Sequence, residues 1–305
     1  MLKHTLSTVT VALAAGLSPV APAQDTPPID PINLGFEMPE PREAGYETVN
    51  GLDIYYEVHG EGEPLLLIHG GLMTIEALGP IVPTLAQTRA VYAVELEGHG
   101  RTVDLDRPLS MRQMAEDVAG FITQQELGPV DIVGYSMGGG TALGVAILAP
   151  ELVDSMVVIS ASHQADSIYE SVRAGWPHMT AEMMEGTPMQ EAYNAVAPEP
   201  ERFPGLIDKI RETMLAGPAW SDEEIAAIDV PTLLIVGDND IVQPDKVLEM
   251  YRLMGGATST EPMGPVVDPD LQFAVLPKTT HYDMLFRLDV LMPVIGPFLD
   301  AHSGQ

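Results

Sequence analysis

The chain has 305 residues, 46% of them hydrophobic, which is enough for one large core. Its 14 lysines and arginines stand against 44 aspartates and glutamates, a formal charge of −30 that repels phosphate backbones and anionic membranes and excludes nucleic-acid binding as a function class. There is no cysteine, so disulfides, thiolate catalysis and cysteine-ligated zinc are excluded as well.

At the N-terminus, Lys3 and His4 precede an apolar stretch from Leu6 to Leu17, and Ala21-Pro22-Ala23 places small residues at a cleavage site. The stretch is broken by Gly16 and Pro19 and is shorter than the ~20 residues of a spanning helix. Residues 1–23 are therefore expected to be a signal peptide, cut near Ala23, with no stable membrane insertion and a mature chain exported to the periplasm or medium. Residues 24–45, rich in proline and acid, are expected to lie as an extended arm on the domain surface.

Leu52 to Val58 reads as a strand, with Asn50-Gly51 as a turn before it. Pro64 to Ile68 is an apolar run ending at His69-Gly70-Gly71, and Ala90 to Val94 is another, ending at Glu95. Ser110 to Leu127 has helical spacing, with Met114, Val118, Phe121 and Ile122 on one face, Ser110 as cap and Gly128-Pro129 as stop. Val130 to Val133 is a strand, and Thr141 to Leu148 continues as a helix as far as Pro150. Met156 to Ile159 and Leu233 to Val236 are further strands, Pro244 to Met254 is helical, and Leu271 to Leu276 is the last strand. Leu285 to Leu299 reads as a helix broken at Pro293 and Pro297. Short apolar strands alternating with helices predict an α/β fold with a mostly parallel, doubly wound sheet. In such a sheet, function gathers beyond the C-terminal ends of the strands.

One such end carries Gly134-Tyr135-Ser136-Met137-Gly138, between a strand and a helix. The G-x-S-x-G turn strains the serine backbone, exposes its hydroxyl above the sheet and needs glycines where backbones approach. A phosphate loop would want a lysine before the Ser or Thr, and a dinucleotide loop would want G-x-G-x-x-G. Neither fits. A serine hydroxyl becomes nucleophilic only through a base, itself oriented by an acid. The chain order serine, acid, histidine leaves His281 and His302 as bases, and His281, directly after the last strand, is the choice. Asp240 is preferred to Asp238 as the acid, with Asp238 assigned to the turn backbone. The backbone N–H groups of Met137 and Gly71 are expected to form the oxyanion hole, with Leu72 the second choice to Gly71. His69 is assigned a structural hydrogen bond. No metal or nucleotide site is apparent, and no cofactor is expected.

The segments LLLIHGG (65–71), VELEGHGRT (94–102), DIVGYSMGGGTAL (131–143), PTLLIVGDND (231–240) and LPKTTHYDML (276–285) together resemble the α/β-hydrolase superfamily over about residues 45–300. The resemblance implies the α/β-hydrolase fold, with Ser136 as nucleophile, Asp240 as acid, His281 as base and Gly71 and Met137 at the oxyanion positions. Serine at the elbow points away from haloalkane dehalogenases and epoxide hydrolases, whose nucleophile there is aspartate. Two departures stand out. Glu95, Gly98, Gly100 and Thr102 replace the usual Asp-x-x-Gly-x-Gly-x-Ser and are expected to alter only a loop, and 255–270 looks like an insertion. Residues 161–229 exceed what a plain crossover needs and are expected to form a helical cap on a core of 46–160 and 230–302. Trp176, Trp220, Met179, Met183, Met184, Met189, Met214, Tyr169 and Tyr193 fall there. Each is read as part of the cap's own core, with some of the set facing substrate. The expected activity is serine-dependent cleavage of a carboxylic ester of a small or medium, largely apolar substrate, with a small-molecule partner and oligomeric state left open. A lactone, amide or carbon–carbon bond, peracid chemistry of the cofactor-free haloperoxidase or perhydrolase type, and non-catalytic ligand binding are the alternatives.

Overall fold

The computed structural model describes residues 36–216, 219–257 and 270–302. The signal-peptide expectation on 1–23 and most of the insertion at 255–270 lie outside the described residues. Among the described residues, eight strands form one sheet: β1 (Glu43–Val49), β2 (Leu52–His59), β3 (Glu63–Ile68), β4 (Arg89–Val94), β5 (Val130–Tyr135), β6 (Val153–Ile159), β7 (Thr232–Asn239) and β8 (Leu271–Thr280). Their order is β1-β2-β4-β3-β5-β6-β7-β8. β1, β2 and β4 pair antiparallel, and every pairing from β4 onward to β8 is parallel. Asn50 and Gly51 have φ of 54° and 84°, the mirror-image turn whose twist suits a two-residue hairpin, and Val49 pairs with Leu52 across it.

Alternate residues of the central strands enter two cores. Leu66 and Ile68 of β3, Ile132 of β5 and Val158 of β6 pack on one face, under α2 (Met111–Gln124), α3 (Met137–Leu148) and α8 (Pro244–Leu253). Leu65, Leu67, Val133 and Val157 pack on the other, under α1 (Ile81–Leu85) and α9 (Leu288–His302). Burial on both faces is why these strands read as unbroken apolar runs. Between β6 and β7 the chain makes α4 (Glu170–Arg173), α5 (Pro188–Val196), α6 (Phe203–Leu215) and α7 (Asp222–Ala226), and Phe203, Leu206, Ile207 and Ile210 of α6 join the first core.

Three sequence expectations are corrected. The arm at 24–45 ends inside the sheet, because Glu43, Ala44 and Gly45, beyond the last proline, pair with Val58, Glu57 and Tyr56 of β2. The last helix is continuous through Pro293 and Pro297, since both prolines are exposed while Leu291, Ile295, Phe298 and Leu299 hold the buried face. β8 runs past Leu276 to Thr280, with Pro277 tolerated on an edge strand beside a register shift at Gly237/Asn239. No described helix is long and apolar enough to cross a membrane.

Candidate active site

β5 ends at Tyr135, and the chain turns at Ser136 with φ 53° and ψ −114° before α3 begins. Ser136 N–H still donates to Ile159 O at 2.8 Å, so the sheet supports the serine up to the turn itself. A Cβ on Gly134 would lie 2.3 Å from Gly138 O, and one on Gly138 would lie 2.3 Å from Ile68 O. Glycine at both places lets α3 fold back over β3 and β5, which holds the serine in its left-handed conformation.

Asp240 follows β7 and is 5% exposed. Its Oδ1 accepts from His281 Nδ1 at 2.7 Å and from Val242 N–H at 3.1 Å. Its Oδ2 accepts from the Ser160 hydroxyl at 2.5 Å and from Gly237 N–H at 3.4 Å. Burial pushes its pKa up, but the hydrogen bond and charge of His281 and the hydrogen bonds of Ser160 and Val242 outweigh it, so the carboxyl sits below its ordinary value. An ionised carboxylate only accepts, which places the proton on His281 Nδ1 and leaves Nε2 to accept from Ser136 Oγ, 3.1 Å away. The Tyr135 hydroxyl donates to His281 O, and Asp283 accepts from Thr280 N–H at 2.6 Å, which fixes the loop that carries His281.

Ser136, His281 and Asp240 thus form one hydrogen-bonded line. Asp238 stands outside it, exposed, and accepts from Thr279 N–H at 3.1 Å. His302 is tied to Phe298 O at 2.8 Å and to Asp270 at 3.0 Å. Gly71, Leu72 and Met137 line the cavity that Ser136 faces. Met137 opens α3, so its N–H is one of the first donors that a helix leaves unpaired. A Cβ on Gly71 would lie 3.1 Å from Met137 Cε, so the two segments touch. Leu72 has φ of 60°. Behind this loop, His69 donates from Nδ1 to Gly70 O at 2.6 Å and accepts at Nε2 from Leu96 N–H at 3.1 Å. Burial, then the neighbouring His99, pulls the His69 pKa down to about 3, and the ring is neutral in a fixed tautomer.

Glu95 does more than alter a loop. Its carboxylate is fully buried and accepts from Ile75 N–H at 3.3 Å, Arg101 N–H, and the Arg101 guanidinium at 2.9 Å. It therefore clamps the segment that leaves Gly70-Gly71 to the segment that follows β4. Burial raises its pKa to about 7, against the opposing pull of Arg101. Ser160, Tyr135 and Glu95 are site-supporting residues that sequence reasoning missed. The signal available for Ser160 was a polar residue closing an apolar strand.

The cavity measures about 470 Å³. Met111, Met179, Met184, Met189 and Met214 line it with Trp176 and Trp220, and among the described lining residues none is Lys, Arg, Asp or Glu. Trp220 is also part of the core, 3% exposed, and donates from Nε1 to Gly140 O at 3.2 Å. Tyr193 packs on Phe203 with ring centroids 5.1 Å apart, whereas Met183 and Tyr169 are exposed. Among the described residues, no group of three His, Asp or Glu side chains is placed to hold a metal ion.

A family model described as the alpha/beta hydrolase fold matches residues 63–190. The chain is 30% identical over 212 residues to a putative carbamate hydrolase of Azorhizobium caulinodans, covering 63% of this chain and 79% of that one. It is 29% identical over 238 residues to a 2-hydroxy-6-oxo-6-(2'-aminophenyl)hexa-2,4-dienoic acid hydrolase of Metapseudomonas resinovorans, covering 70% of this chain and 81% of that one. The solved structure of a serine hydrolase involved in carbazole degradation superposes with a TM-score of 0.65 at 25% identity, covering 85% of this chain and 99% of that chain. The sheet order, the strained serine turn after β5 and these similarities have one common explanation: the chain belongs to the α/β-hydrolase family, and it is a hydrolase.

Proposed function

We propose that the chain hydrolyses a carboxylic ester whose acyl and alcohol parts are neutral and largely apolar. His281 Nε2 takes the Ser136 proton as Oγ attacks the carbonyl carbon, and Asp240 stabilises the imidazolium that forms. The N–H groups of Gly71 and Met137 hold the developing oxyanion. Collapse breaks the bond to the alcohol oxygen, which takes the proton back from His281, and leaves an acyl group on Ser136. Water, deprotonated by the same histidine, then releases the acid and restores the hydroxyl.

The observation that carries this reading is the hydrogen-bonded line from Asp240 to Ser136 opening on a cavity with no charged side chain among its described lining residues. Similarity to the dienoic acid hydrolase favours a second reading, attack on the carbon–carbon bond of a carboxylate-bearing dienone. Burying that carboxylate without a cationic partner costs several kcal/mol, which weighs against it here.

Hydrolysis of a chromogenic acyl-ester series, short to long, by the native chain and its Ser136→Ala variant tests the ester reading. Native turnover reduced about 10⁴-fold or more in the variant is expected. Equal background rates for both proteins across the series, with turnover of a carboxylated dienone, would replace the ester reading by the second.

A further inference from the structure

Gly140 and Gly144 stand about one and two turns along α3 from Ser136, a rise of about 6 Å and about 12 Å. Each lies under a large side chain. A Cβ on Gly140 would lie 2.4 Å from Met111 Cε, and one on Gly144 would lie 2.3 Å from Trp220 Cζ2 and 2.9 Å from its Cη2. Glycine lets both side chains lie flush on the helix. Ser136, Met137, Gly140, Met111 and Trp220 line the cavity, whereas Gly144 is not among the lining residues. The cavity therefore follows α3 as far as Gly140 and stops where the indole covers Gly144.

Three contacts hold that indole. Its Nε1–H donates to Gly140 O at 3.2 Å, its ring rests on Gly144, and the Arg112 guanidinium lies 4.7 Å from the ring centroid. Arg112 is itself bonded to Glu224 at 3.0 Å. A methionine in a cavity wall yields to a ligand by turning about its single bonds, but an indole clamped in this way stays in place. The leaving oxygen of an ester takes its proton from His281 Nε2. The alcohol part therefore lies with His281 and with Tyr282, Leu285 and Phe286, which follow it in the chain and line the same cavity. The arm along α3 is left to the acyl group.

We propose that Trp220 is a specificity-determining residue, the stop that limits the acyl chain to what fits between Ser136 and the indole. The preferred substrate is then an ester of a short or medium straight-chain acid, and long-chain esters are refused. The inference rests on the ester reading for the identity of the scissile bond and on the cavity for the rest.

Two series separate them. In the first, kcat/KM is measured for nitrophenyl esters from butanoate to dodecanoate. In the second, nitrophenyl alkylphosphonates with matching chains inactivate the enzyme. There Ser136 Oγ bonds to phosphorus, the bond to nitrophenolate breaks and His281 takes the serine proton, so no carboxylic ester need be a substrate. In the native chain both rates are expected to stop rising by octanoate, or its phosphonate counterpart, and to fall toward dodecanoate. Trp220→Ala and the milder Trp220→Leu are expected to raise the dodecanoate-to-hexanoate ratio about tenfold or more in both series, because each further buried methylene is worth about fourfold. The ratio does not depend on how much of a variant folds, and a packing role alone would slow every chain alike. Native rates that climb through dodecanoate, or a phosphonate ratio that neither substitution moves, would overturn the stop. Ester turnover with an unmoved ratio leaves the ester reading standing without the stop. A shifted phosphonate ratio with no ester turned over leaves the stop standing and removes the ester reading.

Discussion

Asp240 Oδ2 accepts from the Ser160 hydroxyl, a residue 80 positions away that ends a neighbouring strand. A hydrogen bond to a buried charge is worth about 1.5–3 kcal/mol, so Ser160→Ala is expected to lower kcat by about tenfold or more in the ester assay. It should also move acid unfolding. The Asp240 pKa is lowered in the folded chain, so its contribution to stability is present above the unfolded value and is lost as pH falls through the folded one. Losing a donor raises the folded value, and Ser160→Ala should therefore unfold at higher pH than the native chain in a fluorescence titration; coincident acid transitions would remove Ser160 from this role. Glu95 has the opposite sign. Its pKa rises from 4.5 to about 7, so the folded chain favours the protonated form. Its contribution falls as pH climbs across that window and is level above it. The stability of Glu95→Gln relative to the native chain should therefore rise by about 3 kcal/mol or less between pH ~4.5 and ~7, as read by urea unfolding. A constant difference across that range would mean that Glu95 is ionised throughout. These residues also mark the limit of sequence reading. Ser136, His281 and Asp240 are legible because glycine spacing, strand ends and chain order are local or ordinal signals. Ser160 acts on a partner 80 positions away and Glu95 reaches back to Ile75 as well as to the nearby Arg101, and neither sits in a motif with a mechanism attached.

The same division runs through the elements. β3 to β7 are legible because strands covered on both faces must be apolar throughout, and α2 because Met114, Val118, Phe121 and Ile122 share one face and Ser110 accepts from Gln113 N–H at 3.2 Å. β1 is not legible: Glu43, Ala44, Tyr46 and Glu47 lie on an edge strand with little burial to pattern it. In α9 the proline signal pointed to a break that packing overrides. An interior proline costs about 3 kcal/mol relative to alanine, offset by up to ~1 kcal/mol of unfolded-chain entropy. Pro293→Ala is therefore expected to stabilise the fold by about 1–2 kcal/mol, with a higher Tm; an unchanged or lower Tm would mean that the helix has relaxed fully around the ring. At the other end of the tolerance scale, Gly138→Ala puts a methyl group 2.3 Å from Ile68 O and 2.6 Å from His69 O, backbone atoms that cannot swing aside. A loss of about 2–3 kcal/mol is expected, together with loss of ester turnover as the serine turn opens.

On the scale of the whole molecule the acids outnumber the bases by 44 to 14, and among the described residues most of the bases are already paired with acids. Lys246 lies between Asp166 and Glu249, both 3.1 Å away, and Lys209 reaches Asp104 at 2.5 Å. The acids in excess leave a strongly negative surface. The resulting field acts on any charged substrate approaching the mouth, while the cavity behind it offers no cation among its described lining residues. Raising ionic strength from about 0.01 M to about 0.15 M shortens the screening length from ~30 Å to ~8 Å. For a neutral ester, kcat/KM should be nearly flat over that range. For the matching hemi-ester, identical except for one carboxylate, it should begin lower and rise severalfold, because salt relieves the repulsion during approach but leaves the uncompensated burial inside. The gap at high salt then measures the cavity alone, and the slope measures the surface. A hemi-ester that is turned over as fast as the neutral ester at low salt would show that neither the surface nor the cavity selects against negative charge, and the choice of a neutral substrate would have to be abandoned with it.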